Sequence, residues 1–167
     1  DLAEQYNRPG QFSTLIGWEW SSIPGGANLH RVVVSDANND LAQRFQPFGL
    51  TDSPYPEDLW EWLDETSSRT NVEFVAIPHN SNISKGYMFD LRTLRGAPIN
   101  EEYALRRLKW EPIVEITQIK GDSEAHPSLS PNDPFADFEE YPYYIQKSET
   151  SYQAREGDYI RSALKRG

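Results

Sequence analysis

Cysteine is absent from the 167 residues. That excludes a disulfide framework and a thiolate zinc site, and it is compatible with any compartment. Positive charge is in short supply: 16 Lys and Arg stand against 26 Asp and Glu, a formal net charge of −10. A basic footprint for non-specific nucleic-acid binding is therefore missing. A phosphate-bearing substrate is not excluded, because a bound cation inverts the local field. No signal peptide and no apolar run of membrane-spanning length occurs, so no segment is expected to cross a bilayer. The short signatures HExxH, HxH, GxSxG and the Walker loop are also lacking, so no single motif names a chemistry.

A length of 167 residues is enough for one domain with a core, but the apolar share of 37% is modest, as expected of a segment of a larger domain. The chain opens at Asp1 in a helix-like stretch and closes at Gly167 directly after a helical pattern, where a glycine caps a helix before a further element. We read residues 1–167 as one partial domain lifted from a larger one. The alternative is a truncated but self-sufficient domain.

Residues 13–20 (STLIGWEW) and 29–34 (LHRVVV) read as strands, paired as a hairpin across Pro24-Gly25-Gly26. A long irregular excursion covers residues 35–53. Pro56, followed by Glu57 and Asp58, starts a helix running to residue 69. Residues 72–77 (VEFVAI) form a short strand ended by Pro78, and residues 80–85 a polar loop. A helix at 100–110, capped by Asn100, precedes a strand at 113–119. Residues 121–150 form a second long loop, and a final helix lies within 152–166. The alternation of helix and strand in the second half predicts an α/β fold with parallel strands.

The informative polar residues cluster at predicted strand ends. Glu19 closes the first strand, His79 follows VEFVAI, and Glu115 sits inside IVEITQI. Asp122, Glu124 and His126 lie in the loop just after it, and His30 lies inside LHRVVV. In parallel α/β folds, strand carboxyl ends gather at one rim, where sites are built. Glu and His are natural ligands for Zn, Mn or Fe. Each also has a plainer role: an edge carboxylate facing water, a histidine capping a loop, solvated acids. Glu19 and Glu115 could instead form an acid/base pair of the glycosidase kind, with Trp18, Trp20, Trp60, Trp62 or Trp110 stacking on sugar. The plainer role for the tryptophans is core packing.

The segments FSTLIGWEWSS, NLHRVVV, PEDLWEWL, AIPHNSNIS, EPIVEITQIKGDSEAHP and YIRSALKRG together, in order over nearly the whole chain, resemble a bacterial family catalogued as domain of unknown function 3604. That family is similar to the PHP superfamily, named for polymerase and histidinol phosphatase. The resemblance implies a distorted βα-barrel, PHP- or TIM-like, with divalent metals at its strand ends and hydrolysis of phosphate esters by a metal-activated water. It implies Glu19 and His79 as metal ligands, with His30 and Glu115 as further ligand positions. Asn80, Lys120, Asp122, Glu124 and His126 become site-proximal, and Lys120, Arg31 or Lys85 become candidate phosphate contacts. The superfamily's His-x-His pair on the first strand and Asp-x-His pair on the last do not occur here. The resemblance therefore implies the middle of a barrel lacking its first and last strands, an incomplete catalyst on its own. The expected partner is a small molecule or phosphoester. A carbohydrate-active domain and a non-catalytic binding module with aromatic loops are the alternative functions.

Overall fold

Period-two alternation decides the main sheet. The structure, a computed structural model, describes residues 2–145 and 151–166. Asp1, residues 146–150 and Gly167 lie outside them, and with them the expected cap at Gly167 and the end of the 121–150 loop. Strands β1 (Ile16–Trp20), β2 (Arg31–Ser35) and β3 (Phe74–Pro78) form one sheet in the order β1-β2-β3, antiparallel throughout. Trp18, Trp20, Arg31, Val33, Phe74 and Ala76 share one face by this register. That face meets the helices, and Trp20, Val33 and Ala76 are fully buried there. Val32, Val34, Val75 and Ile77 share the other face and remain exposed or half-buried.

The hairpin of β1 and β2 agrees with the sequence reading, but the parallel arrangement does not. β3 begins opposite the residue where β2 ends, with Ser35 paired to Phe74. Asp36 and Glu73 close the neck of the connection: Asp36 N–H donates to the Glu73 carbonyl (3.2 Å) and Glu73 N–H to the Asp36 carboxylate (2.9 Å). Between them the chain runs out through short α2 (Asn39–Ala42) and an irregular segment, then returns along α3 (Pro56–Thr70). This round trip delivers the chain to the end of the strand it left, so the next strand runs antiparallel.

α3 buries Leu59, Trp60, Leu63, Thr66 and Thr70, a stripe at helical spacing. Pro56 opens it and Asn71, with φ 58°, ends it in the left-handed region. α4 (Glu101–Trp110) packs against α3, and Asn100 Oδ1 accepts from Tyr103 N–H at its start. The predicted strand at 113–119 is corrected: only Thr117–Gln118 (β4) pairs, with Gly121–Asp122 (β5), as a two-residue antiparallel ladder. Ile113, Ile116 and Ile119 are exposed, so no helix layer covers this segment and no parallel ladder forms beside β3. Among the described residues the strands close no barrel. The fold is mixed α/β, with α1 (Leu2–Tyr6) and α5 (Ile160–Leu164) at its two ends. No helix among the described residues is long and apolar enough to cross a membrane.

Two buried carboxylates fasten these layers. Glu111, just past α4, accepts from Arg31 Nε (2.8 Å), Trp60 Nε1 (2.8 Å) and Arg107 Nε (3.0 Å). Burial alone would raise its pKa, but the Arg31 and Arg107 guanidinium groups outweigh burial and hold it below the ordinary carboxylate value. Asp158 accepts from Ser84 Oγ, Gly86 N–H and Arg155 N–H. It joins the 84–86 turn to the turn before α5, where a Cβ on Gly157 would lie 1.9 Å from the Gly86 carbonyl oxygen. Burial pushes the Asp158 carboxyl up to about 6, against the pull of its donors.

Glu111→Ala leaves two guanidinium groups without their buried counter-charge, and the expected loss is about 3–5 kcal/mol in urea unfolding. A loss within the range of a surface substitution would show that the network is solvated. Asp158 gives a pH signature of definite sign. Its folded pKa is raised, so its stabilising contribution is full below the unfolded carboxylate value and is lost as pH rises through about 6. Thermal midpoints of the wild type minus those of Asp158→Asn fall across that window; a flat difference contradicts the buried placement.

Candidate metal centre

Register brings three sequence-distant residues to one end of the sheet. Glu19 pairs across β2 with Val32, and Val32 with Ile77. Two residues on from that row, His30 precedes β2 and His79 follows β3. By alternation Glu19, His30 and His79 therefore share the face opposite Trp20. His79 N–H donates to the His30 carbonyl at 3.4 Å, extending the pairing one step past the strands. The rim is thus built from the ends of β1 and β3 and the start of β2.

Glu19 Oε1 lies 2.8 Å from His30 Nδ1 and 3.2 Å from His79 Nε2. The two imidazoles stand edge to face with centroids 5.7 Å apart, and one ligand atom from each of the three residues lies within 4.8 Å of the others. The carboxylate is 48% exposed, while the His30 and His79 side chains are 16% and 10% exposed, so the cluster opens on its Glu19 side. Partial burial works to raise the Glu19 pKa, but His30 and His79 together hold it below its ordinary value. Burial pushes His30 down, Glu19 pulls it up, and His79 and Lys120 push it down again; the net is below the usual histidine value. That shift favours the neutral form, the one in which imidazole binds a metal.

The other predicted residues are placed differently. Glu115 Oε1 accepts from Asn80 N–H (3.3 Å), and Glu115 N–H donates to the Pro78 carbonyl (3.0 Å). It braces the chain beside His79 and is not one of the three converging donors. Asn80 is fully buried and left-handed at φ 52°. The Lys120 charge reaches His30, and its carbonyl accepts from Asn82 Nδ2. Asp122 receives the N–H groups of Glu124 and Ala125. Glu124 pairs with Arg161, and His126 bonds Ser128 and lies against Tyr152 and Tyr159. The loop reaches the site region through Ser123, which bonds Asn82. Arg31 is 1% exposed and bound to Glu111, so a phosphate contact from it is ruled out. Lys85 Nζ donates to the Gly25 carbonyl and sits over Tyr144. Trp20, Trp60 and Trp110 are core residues, and Trp18 and Trp62 pack against that core.

Glu111 and Asn28 were not anticipated. The spacing of Arg107 and Glu111, an i,i+4 pair, was a signal for the first. Asn28, 3% exposed, donates from Nδ2 to the carbonyls of His79 (3.2 Å) and Asn80 (3.3 Å). No sequence pattern marked that role.

The family described as protein of unknown function, DUF3604, matches residues 1–167. The chain belongs to this family. No curated protein and no solved structure matches it. For this DUF3604 chain the Glu–His–His cluster is accordingly read from its own geometry.

Because one Glu19 oxygen faces both imidazoles, each must donate to it in the metal-free chain. The expected tautomers are Nδ1–H for His30 and Nε2–H for His79. Nitrogen-15 imidazole spectra at pH 8 check this, and His30 found as Nε2–H would mean that its bond to Glu19 does not form.

Proposed function

We propose that Glu19, His30 and His79 hold a divalent metal ion, Zn, Mn or Fe, and that the site hydrolyses phosphate esters. The observation that carries the reading is that three ligand atoms of metal-binding type lie within 4.8 Å of one another. Donors held about 2.0–2.2 Å from a metal lie roughly 3–3.5 Å from each other. The spacings of 2.8 and 3.2 Å from Glu19 Oε1 to the two imidazole nitrogens fall close to that range. The residues present fit the group: two imidazoles, one with its pKa lowered chiefly by burial, and one carboxylate with its pKa lowered, against partial burial, by the two histidines.

A bound divalent ion supplies Lewis acidity and lowers the pKa of a coordinated water. The chain supplies the rest. Glu19 contributes negative charge at the exposed side, and the partly buried imidazoles form the back of the site. Lys120, whose charge reaches His30, is the cation available to a phosphoryl oxygen. The phosphate-ester class rests on the resemblance to the PHP superfamily.

The test titrates Zn and Mn into the chain and follows thermal unfolding and hydrolysis of bis(p-nitrophenyl) phosphate and p-nitrophenyl phosphate. Ligation stabilises the folded chain, by about 2.7 kcal/mol at a hundred times Kd. The stabilisation disappears in Glu19→Ala and His79→Ala. Turnover of an ester is expected with metal and is lost on chelation. No metal stabilisation refutes the metal site; metal binding without turnover of either ester refutes the substrate class.

A further inference from the structure

His79, the two residues that follow it and Asn28, which bonds the His79 carbonyl, carry buried polar atoms that the proposed chemistry does not use. His79 Nδ1, Asn80 Oδ1 and Nδ2, Ser81 Oγ and Asn28 Oδ1 have no hydrogen-bond partner among the described residues. Asn80 and Ser81 are 0% exposed, Asn28 3% and His79 8%. A buried polar group left unpaired costs about 1–3 kcal/mol. Five of them would consume a large part of a stability that is ordinarily about 5–15 kcal/mol. The folded chain must therefore pair these atoms with something.

Their placement is held firmly from the backbone. Three of the four residues are consecutive. Asn28 grips the carbonyls of His79 and Asn80 with Nδ2, and its own N–H donates to the Ile83 carbonyl at 3.1 Å. Glu115 holds Asn80 N–H from another segment. Asn80 occupies the left-handed region, which asparagine tolerates better than most residues. These backbone groups and Asn28 Nδ2 are thus bonded, while the five side-chain atoms named above have no partner among the described residues.

We propose that Asn28, Asn80 and Ser81 form a hydrogen-bond cradle, closed through a buried water, that partners Nδ1 of His79 and lets this imidazole exchange tautomer when a divalent cation takes its Nε2. The inference rests on the metal reading for its second state. In the metal-free chain His79 Nε2–H faces Glu19, so Nδ1 carries a lone pair and needs a donor. With a cation on Nε2, Nδ1 carries the proton and needs an acceptor. A carboxylate partner serves only the second state, and a backbone N–H only the first. A hydroxyl, a carboxamide and a water together serve both, because each offers donor and acceptor capacity. Ligating histidines generally bond through their outer nitrogen to a carboxylate, a carbonyl or water, and losing that partner weakens metal binding about 10–100-fold. Asn28, Asn80 and Ser81 are positioning residues in this arrangement and touch no reacting atom.

The experiment compares wild type, Asn80→Gly and Ser81→Ala by nitrogen-15 imidazole spectra and by Zn titration. Glycine accepts the left-handed backbone freely, so Asn80→Gly retains the fold while removing the carboxamide. In wild type without metal, His79 Nδ1 has the shift of a hydrogen-bonded acceptor. With Zn it becomes Nδ1–H, protected from solvent exchange. Both variants lose that protection, and Zn affinity falls about 10–100-fold. Folded variants with wild-type affinity and wild-type exchange overturn the cradle. If wild type binds no Zn, the metal reading fails by itself. The metal-free shift then still decides the cradle, which is overturned if both variants show the wild-type Nδ1 shift.

Discussion

The carboxylate of Glu111 is the constraint on which the rest of the molecule depends. It is buried, and it takes bonds from β2 through Arg31, from α3 through Trp60 and from α4 through Arg107. Buried charges of this kind add little net stability over an apolar replacement, and their best-attested use is to fix one arrangement among several. Here the arrangement is the register of β2. Arg31 lies opposite Trp20 and Pro78, and His30 is its neighbour. A one-residue slip of β2 would turn Arg31 away from Glu111 and move His30 to the opposite face. The cluster at the sheet end is thus set by an ion pair on the other side of the same sheet.

This dependence explains why the candidate site was only partly legible in the sequence. Glu19 and His79 stood out because each adjoins a short apolar strand, and alternation around Trp18 and Trp20 places Glu19 on the opposite face. His30 was ambiguous, since LHRVVV has no clean alternation. Its role follows from Arg31 facing inward, which no local pattern reveals in a residue type that is mostly exposed. The GDSEAHP loop was expected near the site because it follows the segment carrying Glu115. Its acids instead meet local N–H groups and Arg161, an ordinary use for carboxylates in a turn.

The fold was legible where signals were local. α3 starts at Pro56, α4 starts after its Asn100 cap, and the hairpin turns through Pro24-Gly25-Gly26. Strand direction was not local. Helix alternating with strand is the pattern of a parallel sheet, yet the connection between Ser35 and Phe74 makes an outward and a return journey before pairing resumes. The segment at 113–119 misled for a related reason. Its apolar residues suit a strand, but β3 offers it only the Pro78 carbonyl, held by Glu115 N–H. A single bond of this kind braces His79 and Asn80 without building a ladder.

The charge of the chain and the shape of the site fit together. A chain at −10 would repel a phosphate ester at long range, so on the proposed reading the attraction would have to be local, acting within a Debye length of about 8–10 Å. Lys120 near His30 supplies one positive charge, and an ion held by Glu19, His30 and His79 would supply two more. The imidazoles are the less exposed members of the cluster and Glu19 the most exposed. An anionic ligand reaching the ion from the open side would therefore pass the carboxylate first. On the proposed reading, that approach would become favourable only once a cation had neutralised Glu19.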